Sequence, residues 1–186
     1  MDPKTQATTA VGLLTPLVNA TSAGQLDNPT PCDGWNVRQL LSHVIGGGHM
    51  FAAGLRGEAS PDGDESADLV GDDHRSAYRT SIDGFSAALA DTENLDQPVT
   101  LPFGTMPTVV ALQLAAGDLL VHSWDLAQAT GQTFDPPTDF VEASYGFFQM
   151  AVNDDMRAAG MFGASVPTPD DATPLVKLLA HAGRRA

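Results

Sequence analysis

The chain has 186 residues, and its 23 acidic residues against 9 basic ones give a net charge of −14 at pH 7. This length suits one domain that buries a core without disulfides or a structural metal. The excess of acid predicts repulsion from phosphate backbones and anionic lipid, so we expect neither nucleic acid nor a membrane as a partner.

Cys32 is the single cysteine, so no internal disulfide forms and a reducing compartment is expected. The first ten residues lack the basic start and apolar run of a signal peptide, and no apolar run reaches about 18 residues. We therefore predict a cytoplasmic protein. Cys32 itself precedes a predicted helix, where its thiol either has a lowered pKa or is simply a small buried loop residue.

In the first half of the chain, apolar residues recur at helical spacing in three segments. These segments are residues 4–22, 37–56 and about 67–91. Pro16 predicts a kink or a late start in the first helix, Asn36 is the predicted N-cap of the second, and residues 57–66 form an acidic loop. Gly46 to Gly48 weaken the interior of the second helix, which predicts either a close helix contact or space for a ligand.

The second half of the chain begins with an irregular segment, residues 94–106, whose alternating apolar residues allow a short extended piece. Helices are then predicted at residues 107–131, at roughly 138–159 and in a short segment that starts at Thr173-Pro174. Pro107 suits the first position of the long helix, and Gly131 suits its end. The buried candidates of the 138–159 helix are Phe140, Val141, Tyr145, Phe148, Met150 and Val152.

Helices with little strand signal between them predict an all-α protein, for which a helical bundle is the natural architecture. We expect residues 1–165 to form the bundle and residues 166–186 to form a C-terminal tail with a short helix. Two of the helices are apolar on several sides, so a homodimer is a further expectation.

Two polar residues interrupt the long apolar helix on one side. Asp118 and His122 are four residues apart, so they project from the same face, one turn apart. About one such pair arises by chance in a chain of this composition, so the spacing leaves two interpretations open. The pair either belongs to a metal site or forms a satisfied hydrogen bond inside the core.

His43 on the second helix is a third candidate ligand. It shares a face with apolar residues and Gly47, where a lone histidine is usually a core residue. If the second helix packs against the long helix, however, His43 meets Asp118 and His122. Two histidines and one carboxylate with an open fourth position are typical of catalytic zinc, although the same ligands suit non-haem iron(II).

The other polar candidates are weaker. His49 faces away from the first three, His74 lies on a charged, solvated face, and His181 is near the tail. Asp125 follows His122 by three residues, and it either orients the imidazole ring or is an exposed acid. The sequence has no Ser-His-Asp arrangement, no phosphate-binding glycine loop and no Cys-x-x-Cys motif.

Two motif blocks carry a resemblance to a known family. TPCDGWNVRQLLSHVIGGG, followed later by GDLLVHSWDLAQATG, resembles the DinB-like metal-binding superfamily. More narrowly, it resembles the mycothiol-dependent maleylpyruvate isomerase N-terminal group, which is common in actinobacteria. The tail VPTPDDATPLVKLLAHAGR is similar to that of a single-domain branch of this group. The resemblance implies an up-and-down four-helix bundle, with one or two extra short helices and a divalent metal, zinc or nickel, inside it.

The resemblance also implies a ligand set. The family pattern has a histidine on the second helix and then an acid and a histidine four apart on a later helix, which implies His43, Asp118 and His122. The characterised isomerase has glutamate where this chain has Asp118. The sequence also ends before the C-terminal domain that completes the isomerase, so we do not expect maleylpyruvate to be the substrate.

Three functional hypotheses follow. In the first, the metal activates a small thiol for transfer or isomerisation on an electrophilic substrate, with mycothiol as the co-substrate that the resemblance implies. In the second, the protein is a metal-binding or ligand-binding bundle without catalytic turnover. In the third, the bundle is inactive and the Asp118–His122 pair is purely structural.

Overall fold

The computed structural model of the chain describes residues 1–59 and 67–186, and it is mostly helical. The helices are α1 (Pro3–Ala20), α2 (Val37–Arg56), α3 (His74–Asp91), α4 (Thr108–Thr130), α5 (Thr138–Ala151), α6 (Asp154–Ala158) and α7 (Pro174–His181), with a short 3-10 helix at Ala23–Gln25. The predicted all-α class is confirmed. No helix in these two ranges is long and apolar enough to cross a membrane. Most of the acidic loop predicted at 57–66 lies outside the described residues.

Local signals in the sequence set the ends of the two helices that matter most for the site. The Asn36 side chain accepts a hydrogen bond from the Gln39 amide at 2.9 Å, and the Gln39 side chain accepts one from the Asn36 amide at 3.0 Å. This reciprocal capping box starts α2. Gly131, with φ +70°, adopts the left-handed conformation that ends α4, as the sequence predicts.

Helix α4 lies at the centre of the fold. Helix α1 packs along α4, α2 packs along α3, and both α2 and α5 also contact α4, while α7 packs on α5. The largest side chains of the core come from all of these helices, and they include Leu14, Leu40, Phe85, Leu120, Phe148 and Leu178. The central place of α4 explains why it is apolar almost all round, since fifteen of its residues are buried.

The irregular segment before α4 contains a small antiparallel hairpin. Strand β1 (Pro98–Leu101) pairs with strand β2 (Gly104–Pro107). Val99 and Leu101 are buried, and they approach α2 at Gly54, where a Cβ atom would lie 2.8 Å from the Leu101 side chain. The extended piece predicted from the alternating apolar residues is therefore confirmed, although Phe103 lies in the exposed turn.

The third of the three adjacent glycines, Gly48, marks a close approach of α2 to α3. A Cβ atom on Gly48 would lie 2.3 Å from Oγ of Ser81, which donates a hydrogen bond to the carbonyl of Ile45 at 2.6 Å. A Cβ atom on Gly47 would meet nothing within 4 Å. The expected close helix contact is thus present at Gly48, and Gly47 leaves open space next to it.

Several boundaries differ from the sequence prediction. Helix α3 begins at His74 and not near residue 67, because the Asp73 side chain accepts hydrogen bonds from the amides of Arg75 and Ser76 and so caps the helix. Helix α1 continues past Pro16, so the burial of the residues after it outweighs the loss of one backbone hydrogen bond.

The helix predicted at 138–159 is two helices. Helix α5 ends at Ala151, and Asn153 caps the separate helix α6 by accepting a hydrogen bond from the Met156 amide at 3.0 Å. Met150 was predicted to be buried, but 81% of it is exposed. It lies two positions after the buried Phe148 and therefore about 200° around the helix, on the solvent side.

Candidate metal centre

Helices α2 and α4 bring His43, Asp118 and His122 together. Nε2 of His43 lies 3.4 Å from Oδ2 of Asp118, and Nε2 of His122 lies 3.4 Å from Oδ1 of the same carboxylate. One ligand atom from each residue lies within 4.8 Å of the other two. The carboxylate therefore stands between the two imidazoles and offers a different oxygen to each.

The three side chains differ in exposure. His122 is buried, whereas the side chains of His43 and Asp118 are 40% and 36% exposed. The cluster is thus closed on the His122 side and reaches solvent on the His43 side. A small molecule can approach it from that open side.

The second ring nitrogen of His122, Nδ1, is hydrogen-bonded to a buried carboxylate. Nδ1 lies 3.0 Å from Oδ2 of Asp125, which is 0% exposed. Asp125 is therefore the partner that orients the imidazole ring of His122, and the alternative of an exposed acid is wrong. Arg184 in turn donates to Asp125, with Nη2 at 2.8 Å from Oδ2. With Nδ1 engaged in this way, Nε2 is the ring nitrogen that faces Asp118.

An aromatic side chain covers the two histidines. The Trp35 ring lies 5.7 Å from the His122 ring in a stacked arrangement and 4.9 Å from the His43 ring. The carbonyl of Trp35 accepts hydrogen bonds from the amide and the hydroxyl of Thr30, at 3.1 and 2.9 Å. The loop before α2 is therefore a structured part of the site, which holds both rings in place.

The electrostatics of the cluster favour positive charge. Burial alone would lower the pKa of His122, but the carboxylates of Asp118 and Asp125 outweigh it and raise that pKa to about 9. Burial alone would raise the pKa of Asp118, but the imidazoles of His122 and His43 hold it well below its usual range. A positive charge at this point is therefore stabilised, whether a proton or a metal ion carries it.

The spacing of the donors fits a divalent ion. Two ligand atoms at about 2.0–2.1 Å from a tetrahedral zinc ion lie about 3.3–3.4 Å apart. Each histidine nitrogen lies 3.4 Å from a different oxygen of Asp118, so both nitrogen–oxygen pairs have this separation, and one ligand atom from each of the three residues lies within 4.8 Å of the other two. Two imidazole nitrogens and one carboxylate oxygen are a donor set that zinc, nickel and iron(II) all accept, and the exposed side leaves room for a further ligand.

The other histidines stay outside this cluster. His49 is half-buried elsewhere on α2. His74 was expected on a solvated face, but it is buried. Its Nε2 atom lies 3.1 Å from the carbonyl oxygen of Thr21 at the end of α1. His181 packs its Nε2 atom 3.1 Å from the carbonyl of Phe148. These last two histidines make structural contacts between elements.

Cys32 does not have an activated thiol. Burial raises its pKa to about 11, and the positive charge of Arg184 only partly opposes this effect. The start of α2 therefore fails to lower the pKa of the thiol. Cys32 is a loop residue, as the second interpretation has it, but it is half-buried and not fully buried.

The sequence prediction missed Arg184 as a member of this site. Its position 59 residues after Asp125 gives no periodicity that links the two. The signal available was a basic residue directly after Gly183, the glycine that follows the last helix, in a chain with only 9 basic residues.

The site can be compared with known proteins. The family model described as "Mycothiol maleylpyruvate isomerase N-terminal domain" matches residues 8–127 of the chain. The chain belongs to this family. The matched range contains all three clustered residues of α2 and α4 as well as Asp125, and Arg184 lies beyond it.

Relatives in this family extend over the whole chain. Two uncharacterized proteins of Mycobacterium tuberculosis, from two strains, are each 31% identical over 189 residues. Each alignment covers 99% of this chain and 98% of the relative.

Solved structures of the family share the fold. Crystal structures of the mycothiol-dependent maleylpyruvate isomerase and of its histidine-to-alanine mutant align with TM-scores of 0.63 and 0.66. Sequence identity is 16% and 14%, and each alignment covers 85% of this chain and 71% of the isomerase. This likeness establishes a shared fold.

Proposed function

We propose that the protein binds one divalent metal ion through His43, Asp118 and His122, and that it uses the ion to activate a small thiol. The thiol is mycothiol or a close analogue. It is either transferred to an electrophilic substrate or promotes the isomerisation of that substrate. The observation that carries the proposal is the convergence of the three donors in a recess with one open side, in a chain of the mycothiol maleylpyruvate isomerase family. The proposed architecture is the family's up-and-down four-helix bundle, with residues 166–186 as an added tail.

Each residue of the site has a defined task in this proposal. A bound ion, zinc in the first instance and nickel as the second choice, supplies positive charge that lowers the pKa of a thiol next to it. His43, Asp118 and His122 hold the ion, Asp125 orients His122, and neutral imidazoles with an ionised carboxylate leave about one positive charge on the centre.

The reaction itself needs little further apparatus from the chain. The thiol gives up its proton, its sulfur forms a bond to an electrophilic carbon, and the electron pair that is displaced leaves with a leaving group or takes up a proton. The partly exposed side of the cluster, at His43, is where both molecules enter. The partners expected for the protein are therefore two small molecules, a thiol and an electrophile.

Metal binding is tested by zinc stoichiometry. We expect one zinc per chain after reconstitution, measured by elemental analysis, and a loss of at least about 100-fold in affinity for His43→Ala and His122→Ala. His49→Ala is the matched control, because it removes a histidine from the same helix α2 outside the cluster. If both ligand variants bind zinc as tightly as the wild type, the ligand set is wrong.

Thiol activation is tested by conjugation. The rate of mycothiol addition to a generic aryl halide is measured before chelation, after chelation, and after zinc is restored, with glutathione as the comparison thiol. We expect the rate to disappear with the metal and to return with it. A rate that persists after chelation contradicts metal-assisted transfer, whereas tight zinc binding without any rate favours a metal-binding protein that has no catalytic turnover.

A further inference from the structure

The C-terminal tail reaches the buried side of the metal centre through one side chain. Nη2 of Arg184 lies 2.8 Å from Oδ2 of Asp125, and Nε lies 3.2 Å from Oδ1. The guanidinium thus donates to both oxygens of a carboxylate that is 0% exposed, and Arg184 is itself buried. A buried ion pair between an inner helix and a segment 59 residues further along the chain calls for an explanation.

The tail backbone aims Arg184 at α4. Gly183 has φ +89°, and a Cβ atom there would lie 2.8 Å from Cα of Gly163, so the chain turns back at a point that suits only glycine. The amide of Arg184 donates to the carbonyl of Leu179 at 2.8 Å, and Nη1 donates to the carbonyl of Ala182 at 2.9 Å. Arg184 is therefore fixed at its tail end as well as at Asp125.

The carboxylate that Arg184 holds is the one that orients a candidate ligand. Oδ2 of Asp125 accepts from Arg184 and also lies 3.0 Å from Nδ1 of His122. A carboxylate that accepts from two donors of a planar guanidinium fork cannot rotate freely. Its Oδ2 atom is consequently held at Nδ1 of His122, and the ring presents Nε2 towards Asp118 and away from the tail.

We propose that Arg184 is a positioning residue of the metal centre, through which the docked C-terminal tail sets the affinity of the site for its ion. The proposal rests on the metal site proposed above and extends it to a residue outside the family match. Partners that orient a ligating histidine typically contribute about 10- to 100-fold to metal affinity. Arg184 acts one step further out, through Asp125, and it is expected to contribute at the lower end of that range.

The test compares zinc affinity in Arg184→Ala, Arg184→Lys and Arg185→Ala, by competition with a chromophoric chelator. Arg185→Ala is the matched control, because it removes the same charge from the neighbouring, exposed position. We expect about a tenfold loss for Arg184→Ala, at least a threefold loss for Arg184→Lys, which keeps the charge but not the fork, and less than a twofold change for Arg185→Ala.

A second readout follows the geometry directly. In the metal-free wild type, the hydrogen-bonded Nδ1 proton of His122 is expected as a downfield NMR resonance, which Arg185→Ala retains and Arg184→Ala loses. Circular dichroism establishes which variants are folded. A purely structural Arg184 would lower the unfolding temperature and leave both the zinc affinity of the folded protein and this resonance unchanged, which overturns the proposal.

The two readouts separate this proposal from the one it rests on. If the wild type binds no zinc, the metal site is wrong and so is the role of Arg184 in metal affinity, and the Nδ1 resonance then decides only whether Arg184 orients His122 through Asp125. If Arg184→Ala does not fold, Arg184→Lys decides, and wild-type zinc affinity in that variant overturns the proposal. Absence of the resonance from the wild type overturns it as well.

Discussion

Cys32 lies in the loop before α2, next to the residues that flank the candidate metal centre. Because burial raises the pKa of its thiol to about 11, the thiolate is a small fraction of the protein at neutral pH. We therefore expect alkylation by iodoacetamide at pH 7.5 to be about 100-fold slower than for free cysteine, whose pKa is about 8.5. The rate should still be rising with pH at pH 10, where free cysteine has levelled off, since a pKa of about 11 moves the whole ionisation to higher pH.

The alkylation experiment has an internal control. In concentrated urea the thiol is exposed, so its rate should return to that of free cysteine at the same pH. Modification of the folded protein is followed by mass spectrometry over time. A folded protein that reacts at the rate of free cysteine at pH 7.5 contradicts the raised pKa.

At the scale of single residues, the sequence predicted part of the site for identifiable reasons. Asp118 and His122 share a helix, so their proximity follows from helical spacing alone, and the family resemblance adds His43. The sequence could suggest that Asp125 orients His122 but could not exclude an exposed acid, because the burial of Asp125 depends on what packs over α4. The contact of Arg184 with Asp125 could not be predicted from the sequence, since only the folded tail brings the two residues together.

At the scale of elements, two neighbouring glycines of α2 allow the effect of helix packing on stability to be measured separately from the effect of helix propensity, because only Gly48 contacts another helix. Alanine at Gly48 would place a Cβ atom 2.3 Å from Oγ of Ser81, which would have to give up its hydrogen bond to Ile45 or push α3 away. We expect Gly48→Ala to lower the free energy of unfolding by about 1–3 kcal/mol. Gly47→Ala meets open space and should raise it by about 0.5–1 kcal/mol.

Urea denaturation of the two variants measures both effects, and a rescue identifies the cause. Ser81→Ala removes the atom that the new Cβ atom would strike, so the double variant with Gly48→Ala should lose less stability than the two single changes added together. Equal shifts of the same sign for Gly47→Ala and Gly48→Ala would contradict the close contact between α2 and α3.

The elements also show where sequence patterns stop being informative. The cap at Asn36 and the terminator Gly131 were predicted correctly, because capping depends on a few neighbouring residues. The start of α3 and the break after α5 were not predicted correctly, because apolar spacing continues across both. The side chains of Asp73 and Asn153, which cap the helices that follow, determine where α3 and α6 begin. Burial on α5 was misjudged at Met150 because only tertiary packing determines which side of that helix is covered.

At the scale of the whole molecule, the candidate ligands join two halves of the fold. Helix α1 packs mainly on α4 and α2 mainly on α3, and the cluster takes one ligand from α2 and two from α4. An ion bound there would hold both helix pairs together, so that its binding free energy opposes unfolding of the entire chain. At a free zinc concentration of about 1,000 times Kd, this amounts to about 4 kcal/mol.

We therefore expect zinc to raise Tm by about 8–16 °C over the chelated protein, since 1 kcal/mol corresponds to roughly 2–4 °C at this chain length. Thermal unfolding followed by circular dichroism, with and without chelator, gives the shift. His43→Ala should remove it by breaking the link from α2, whereas His49→Ala on the same helix should retain it. A zinc-dependent shift of equal size in both variants would mean that the ion binds elsewhere, because only one of them alters the connection between the helix pairs.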